Sequence, residues 1–203
     1  MDAKNYSIQD EAVSKTKYVT HVQRRVIFFK KRGAKIKPIE INSNVIILSG
    51  GGLVLPYFRN NRDKWNIVLV SQFRPAVKAM TVEAPGGRLD LEAPDIALSR
   101  ELLEEAGIKV KPQSIKIVVN EYTHPSILST INIGGIVEIK EGMVKNKKMA
   151  GNGSCENEWT QVEIFDLVEI MKKRDAKLIM LDLMTSRLID EVAKTVGLLV
   201  KKY

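Results

Sequence analysis

GGRLDLEAPDIALSRELLEEAGI, residues Gly86 to Ile108, encodes a helix whose start and stop are both written in the chain. Pro94 suits a first helical position, where its missing N–H costs nothing. Asp95 favours the positive helix N-terminus. Gly107 suits the left-handed stop. The spacing predicts a helix of roughly three turns between them. Glu101, Glu104 and Glu105 stand at i, i+3 and i+4, near one face. Arg100 and Glu104 form an i, i+4 pair, while Ile96, Leu98, Leu102, Leu103 and Ala106 supply the apolar side. Three crowded carboxylates repel one another. Hard divalent cations relieve that repulsion, and Mg²⁺ prefers oxygen ligands of this kind. Alone, E-L-L-E-E reads as a solvated acidic face; the preceding turn expected at Gly86-Gly87 and the interval from Glu92 to Arg100 set it apart.

Outward from this helix the chain alternates between strand and helix signals. Segments 18–29 and 36–41 are rich in β-branched and aromatic residues, with Arg32-Gly33 as the turn between them. Segments 44–58 and 65–73 read as strands separated by the polar RNNRDK. Beyond the helix, 115–122, 130–139 and 160–164 read as strands. Residues 141–158 are polar and glycine-rich, as expected of an exposed mobile loop. Segments 166–174 and 182–200 have helical periodicity. The first ~17 residues are polar and expected to be peripheral. The pattern predicts an α/β fold with a mixed sheet between helices. A strand-rich N-terminal segment, 1–42, precedes a main domain, 43–203.

Composition narrows the function classes. The 203 residues are 28% charged and 44% hydrophobic, as in a soluble globular protein. No apolar run reaches the ~18 residues of a membrane span. The N-terminus lacks the apolar core of a secretory signal. The single cysteine, Cys155, excludes an internal disulfide and fits a reducing cytoplasm. The net charge of +8 is spread over the chain, with small clusters at 30–32, 145–148 and 172–174. No aromatic residues interleave with them, which disfavours a dedicated nucleic-acid surface. A basic chain carrying an acidic helix suits attraction of a phosphorylated small substrate to bound metal.

The spacing of Gly86, Glu92, Arg100, Glu101, Leu102, Glu104, Glu105, Gly107 and Ile108 resembles the Nudix hydrolase signature, G-x5-E-x7-R-E-U-x-E-E-x-G-U with U aliphatic. Counted from Gly87 instead, the loop to Glu92 is one residue short, so Gly86 takes the glycine position. The resemblance implies an α/β/α Nudix sandwich preceded by a small N-terminal antiparallel β element. Further matches are similar to the branch that hydrolyses ADP-ribose and related nucleoside diphosphate sugars. They are Val70-Ser-Gln-Phe-Arg74, Glu83-Ala-Pro-Gly-Gly87, the strand-turn-strand VIFFKKRGAKI, the late Glu156-Asn157-Glu158, and Asp182 opening the last helix. The branch commonly carries S-P-G-x-S-x-E after the helix. This chain reads THPSILST over 123–130 and keeps only Pro125 of that pattern's proline, glycine and glutamate. His124 there is read as a packed or surface residue.

The resemblance also implies roles. Glu101 and Glu105 are expected as Mg²⁺ ligands, with Mn²⁺ as a substitute and the Gly86 carbonyl as third donor. Glu104 is expected to orient Arg100 and complete the metal shell. The general base is expected from the late acidic loop, at Glu156 with Glu158 as alternate. Arg74 is expected to bind phosphate bidentately. Glu83 is expected to bind ribose hydroxyls or to support Arg74. Phe28, Phe29, Tyr57 and Phe58 are candidates for stacking on the base, although strand aromatics are more often core. A homodimer is implied, with the N-terminal strands contributing. The alternatives are the same chemistry on another nucleoside diphosphate sugar such as GDP-mannose, or a non-catalytic Nudix module that binds nucleic acid or regulates. An eroded signature would favour the last, and this signature is intact.

Overall fold

Strands β4 (Gly51–Arg59) and β5 (Trp65–Arg74) bury residues in both alternating directions, so both faces of the sheet they form must be covered. The computed structural model describes residues 6–16, 19–32, 35–122, 124–144, 148–150, 159–177, 179 and 181–198. In it, Val54, Phe58 and Val68 share one core with Leu98, Leu102 and Ala106 of helix α1 (Pro94–Ala106). Leu55, Tyr57, Ile67 and Leu69 share the other core with α2 (Leu167–Asp175) and α3 (Leu183–Thr195), through Leu167, Ile170, Leu188, Ile189 and Val192. Each fully buried large side chain contributes about 1.5–3 kcal/mol through its burial. The sheet therefore lies between helical layers, as the α/β reading expects.

The sheet is mixed. Its order is β10 (Lys148–Ala150), β11 (Trp159–Asp166), β5, β4, β9 (Ile131–Glu138), β8 (Lys116–Tyr122). β4 and β9 run parallel, while β4–β5, β5–β11 and β10–β11 are antiparallel. Two short strands lie off this path: β6 (Ala79–Glu83) pairs with β5, and β7 (Gly86–Arg88) with β4. Neither was expected. Gly86-Gly87 is extended chain hydrogen-bonded to β4, not a turn. The reversal lies further on, where Asp90 and Leu91 adopt left-handed φ of 41° and 67° and Glu92 N–H donates to the Leu89 carbonyl at 2.8 Å. The short interval to Glu92 is thus spanned by a tight turn of non-glycine residues.

A second compact unit comprises residues 1–49 and 122–131. Strands β1 (Tyr6–Lys15), β2 (Val19–Arg32) and β3 (Lys35–Leu48) form an antiparallel three-stranded sheet. The polar segment expected to be peripheral supplies β1. It is exposed along its whole length and held by backbone pairing and by the Arg24–Asp10 ion pair at 2.7 Å. The expected boundary at 42/43 falls inside β3. That strand runs on to Leu48, paired with β2 as far as Val19, and Ile46 also pairs with the 127–129 segment, through Ile46 N–H to Ile127 O at 2.8 Å and Ser129 N–H to Ile46 O at 3.2 Å. Likewise, the expected strand 44–58 is two strands, broken at Ser49-Gly50.

Candidate active site

Helix α1 carries the densest group of charges. No side chain caps its start, and Pro94 opens it, as its fixed φ allows. Gly107 closes it with φ 67°, its N–H donating to Leu103 O at 3.0 Å. The apolar stripe of Leu98, Leu102 and Ala106 is fully buried, which fixes the rotation of the helix and aims the glutamates.

Arg100 organises two of them, together with Glu92 ahead of the helix. Its Nε donates to Glu92 at 3.1 Å, and Nη1 donates to Glu101 at 2.8 Å and to Glu104 at 3.3 Å. Nη2 donates to the Arg88 carbonyl at 3.1 Å, at the end of β7. Burial works against the guanidinium charge, but the hydrogen bonds to Glu92 and Glu101 outweigh it and hold the group above its ordinary value. Burial pushes the Glu101 carboxyl above the usual range, further than Arg100 pulls it down.

Glu105, one helical turn beyond Glu101, reaches the β7 strand at Gly86. It is 8% exposed, and it accepts the Gly86 N–H at 2.8 Å. Glu101 packs against the neighbouring residue: a Cβ on Gly87 would lie 2.5 Å from its carboxylate carbon. A Cβ on Gly86 would lie 2.1 Å from the Gly52 carbonyl oxygen of β4. The two glycines are therefore required by close approach, one to a carboxylate and one to backbone. Two carboxylates one helical turn apart thus close on the strand whose carbonyl was expected as third donor. Hard oxygen donors of this kind fit Mg²⁺. Among the described residues, no three acidic, histidine or cysteine side chains form a metal-binding group, and Glu104 is engaged by Arg100 at 3.3 Å.

A second polar cluster surrounds Glu83 at the end of β6. Arg74 donates to it bidentately, Nε at 2.9 Å and Nη2 at 2.5 Å. Thr81 Oγ1 donates at 2.5 Å and Gln72 Nε2 at 3.4 Å. Burial raises the Glu83 carboxyl, but Arg74 and Thr81 together overcome this and hold it below the usual range. Glu83 and Arg74 are thus joined by a bidentate ion pair. Antiparallel pairing of β5 with β6 creates the cluster, by setting Arg74 opposite Ala79 and Gln72 opposite Thr81.

Other expected residues fall elsewhere. Tyr57 and Phe58 are 6% and 2% exposed and belong to the two cores, so neither offers a face for stacking. The side chains of Phe28 and Phe29 lie outside the described residues, as do Glu156 and Glu158. His124 sits on an exposed turn, its carbonyl accepting from Leu128 N–H at 2.7 Å. The sequence reading passed over Thr185, which is fully buried and joins Ala84 to Asp182. An Asp-x-x-Thr helix start signals the cap at Asp182; nothing local signals the bond to Ala84.

No family model matches the chain. Over 143 residues it is 30% identical to a GDP-mannose pyrophosphatase of Cronobacter sakazakii (strain ATCC BAA-894), a match covering 64% of this chain and 70% of that protein. With that identity spanning more than two thirds of the relative, the chain belongs to the same family as this pyrophosphatase.

Proposed function

We propose that the protein is a Nudix-type hydrolase that cleaves the diphosphate bond of a nucleoside diphosphate sugar in the presence of Mg²⁺, releasing a nucleoside monophosphate and a sugar phosphate. The observation that carries this reading is the closure of Glu101 and Glu105 on the Gly86–Gly87 strand, with Arg100 holding the neighbouring carboxylates. The similarity to a GDP-mannose pyrophosphatase makes GDP-mannose the first substrate to try. ADP-ribose remains the second, on the strength of the Val70–Arg74 and Glu83–Gly87 matches.

Glu101, Glu105 and the Gly86 carbonyl would hold Mg²⁺, which neutralises diphosphate charge and acidifies a bound water. Arg100 fixes Glu101 and Glu104, so the acidic face is pre-shaped rather than splayed by its own repulsion. Arg74 is aligned by Glu83 yet keeps its side chain 41% exposed, so it can engage a phosphate oxygen without losing its support. The α1 carboxylates are committed to cation and arginine, so the proton of the attacking water goes to a group outside the helix, Glu156 with Glu158 as alternate. The water oxygen joins one phosphorus, the bridging P–O bond breaks, and the departing phosphate leaves as the sugar or nucleoside monophosphate.

A homodimer belongs to this reading. The register of the three-stranded sheet sets Ile8, Val26 and Ile41 in one row, and places Tyr6 and Ile39 on the same face. Ile8, Ile41, Tyr6 and Ile39 are 44–50% exposed. The neighbouring row on the opposite face, Gln9, Arg25 and Asn42, is polar, so the exposed apolar group Tyr6, Ile8, Ile39 and Ile41 marks the side that a second copy would cover.

The test is a panel of GDP-mannose, ADP-ribose and other nucleoside diphosphate sugars with Mg²⁺ or Mn²⁺ at alkaline pH, read by product chromatography, beside Glu105→Gln as control. Cleavage by wild type and loss in the variant support the proposal. No cleavage of any member by wild type overturns it in favour of a non-catalytic binding module.

A further inference from the structure

The segment leading into the Gly-Gly strand is pinned at three successive residues. Ala84 N–H donates to Thr185 Oγ1 at 2.8 Å. The Pro85 carbonyl accepts from Val54 N–H of β4 at 2.8 Å. Gly86 N–H donates to Glu105 at 2.8 Å. The second and third pins come from elements that themselves flank the site. The first comes from the start of α3, 101 residues away in sequence.

That first pin is itself anchored. Thr185 is fully buried. Its hydroxyl donates to Asp182 Oδ2 at 2.5 Å, and its backbone N–H donates to Oδ1 at 2.9 Å. Asp182 is the N-cap of α3, and the preceding Leu181 bridges to Val82 in the parallel sense. The hydroxyl is therefore oriented: its proton is committed to a carboxylate, so its lone pair must face the Ala84 N–H. A Val side chain would keep the shape and lose both bonds, leaving a buried amide without its acceptor.

We infer that Asp182 and Thr185 are a positioning pair for the metal site, acting through the Ala84–Pro85–Gly86 backbone to hold the Gly-Gly strand at the distance that Glu101 and Glu105 require. The inference rests on the reading of those two carboxylates as metal ligands. Neither Asp182 nor Thr185 is one of the residues proposed to hold the cation. Their effect is on where the Gly86 carbonyl and the Gly86 N–H stand. Removing outer partners of this kind typically costs about 10–100-fold in metal affinity or activity.

Direct Mn²⁺ binding, read from the loss of the free-ion EPR signal, tests the pair without requiring turnover. Wild type is expected to bind Mn²⁺, and Glu105→Gln to lose that binding. Thr185→Val is expected to raise the Mn²⁺ dissociation constant about tenfold or more and to lower kcat with little change in KM. Thr185→Ser, which restores the hydroxyl, is expected to return both to within about twofold of wild type. Asp182→Asn keeps a capping side chain but gives Thr185 a neutral acceptor. It should weaken Mn²⁺ binding severalfold, and it decides alone if Thr185→Val shows no cooperative melt. Thr185→Val and Asp182→Asn binding Mn²⁺ as tightly as wild type, beside a Glu105→Gln that does not bind, overturns the positioning role while the metal site stands. Failure of wild type to take up Mn²⁺ overturns the metal reading and this inference with it.

Discussion

Replacing Gly86 and Gly87 separately with Ala should have different consequences, although the residues are adjacent and the added group is the same. At Gly86 the new Cβ would stand 2.1 Å from the Gly52 oxygen, 2.6 Å from Leu53 Cδ2 and 2.8 Å from Leu53 Cα. Two of these neighbours are backbone of a central strand and cannot rotate away. β7 must back off by about 1 Å to restore ordinary contact, which strains the Gly86–Glu105 bond. Overpacking of this kind costs about 1–3 kcal/mol. At roughly 2–4 °C per kcal/mol for a chain of this size, a melting scan resolves the loss. A misplacement near 1 Å at a reacting centre can cost about 100-fold in rate. At Gly87 the three atoms nearest the new Cβ are all in the Glu101 carboxylate, at 2.5–2.6 Å, the end of a side chain that can swing aside. Gly87→Ala should therefore melt within a degree or two of wild type and still lose Mg²⁺-dependent turnover, because Glu101 is displaced. The assays are differential scanning calorimetry and hydrolysis of the best substrate across a Mg²⁺ titration. Gly86→Ala with unchanged melting and activity, or Gly87→Ala as destabilised as Gly86→Ala, would refute the close-approach reasoning.

Glu156→Gln should lower kcat by ~10²–10⁴-fold while Mn²⁺ and substrate binding stay near wild type, as loss of a general base does; if Glu158→Gln is the dead variant instead, the role moves two residues along. Arg74→Lys loses the planar fork proposed to contact phosphate, and a lost charge-assisted bond to substrate of about 1.5–3 kcal/mol predicts a rise in KM of roughly tenfold or more; steady-state kinetics with unchanged KM would count against a phosphate contact. Burial raises the Glu101 carboxyl above its ordinary 4.5, so below the folded-state value the native protein holds a proton that the unfolded chain gives up. Stability of the metal-free protein should therefore fall as pH rises from about 4.5 through the raised value, and Glu101→Gln should flatten that part of the profile and stabilise the protein at neutral pH; an unaltered profile in urea titrations at several pH values would contradict it. Light scattering should give a dimeric mass that Ile41→Lys reduces to that of a monomer, and a monomeric wild type at micromolar concentration would remove the dimer.

Much of the molecule follows from local pattern. The start and stop of α1, the spacing of its glutamates, the Asp182 cap and most of the strands depend on residues within a few positions of one another, and such signals survive in a one-dimensional reading. The family resemblance also lies in a linear spacing, from Gly86 to Ile108. What the sequence could not decide depends on partners far apart in the chain. Gly86-Gly87 was legible as a turn because glycine usually marks one; that it is a strand, with glycine demanded by the approach of Gly52 and Glu101, depends on β4 and α1 packing beside it. The polar segment 6–15 has no apolar alternation to announce a strand, and it becomes one because β2 offers a complete edge. Tyr57 and Phe58 were eligible for stacking on a base until both faces of β4 were covered by helices. The bond from Ala84 to Thr185 joins residues 101 positions apart. Composition and periodicity set which elements form and which charges they carry, because those properties act within a turn or two of backbone. Which carboxylate meets which amide is set by sheet order and helix rotation, and these depend on the packing of the whole core.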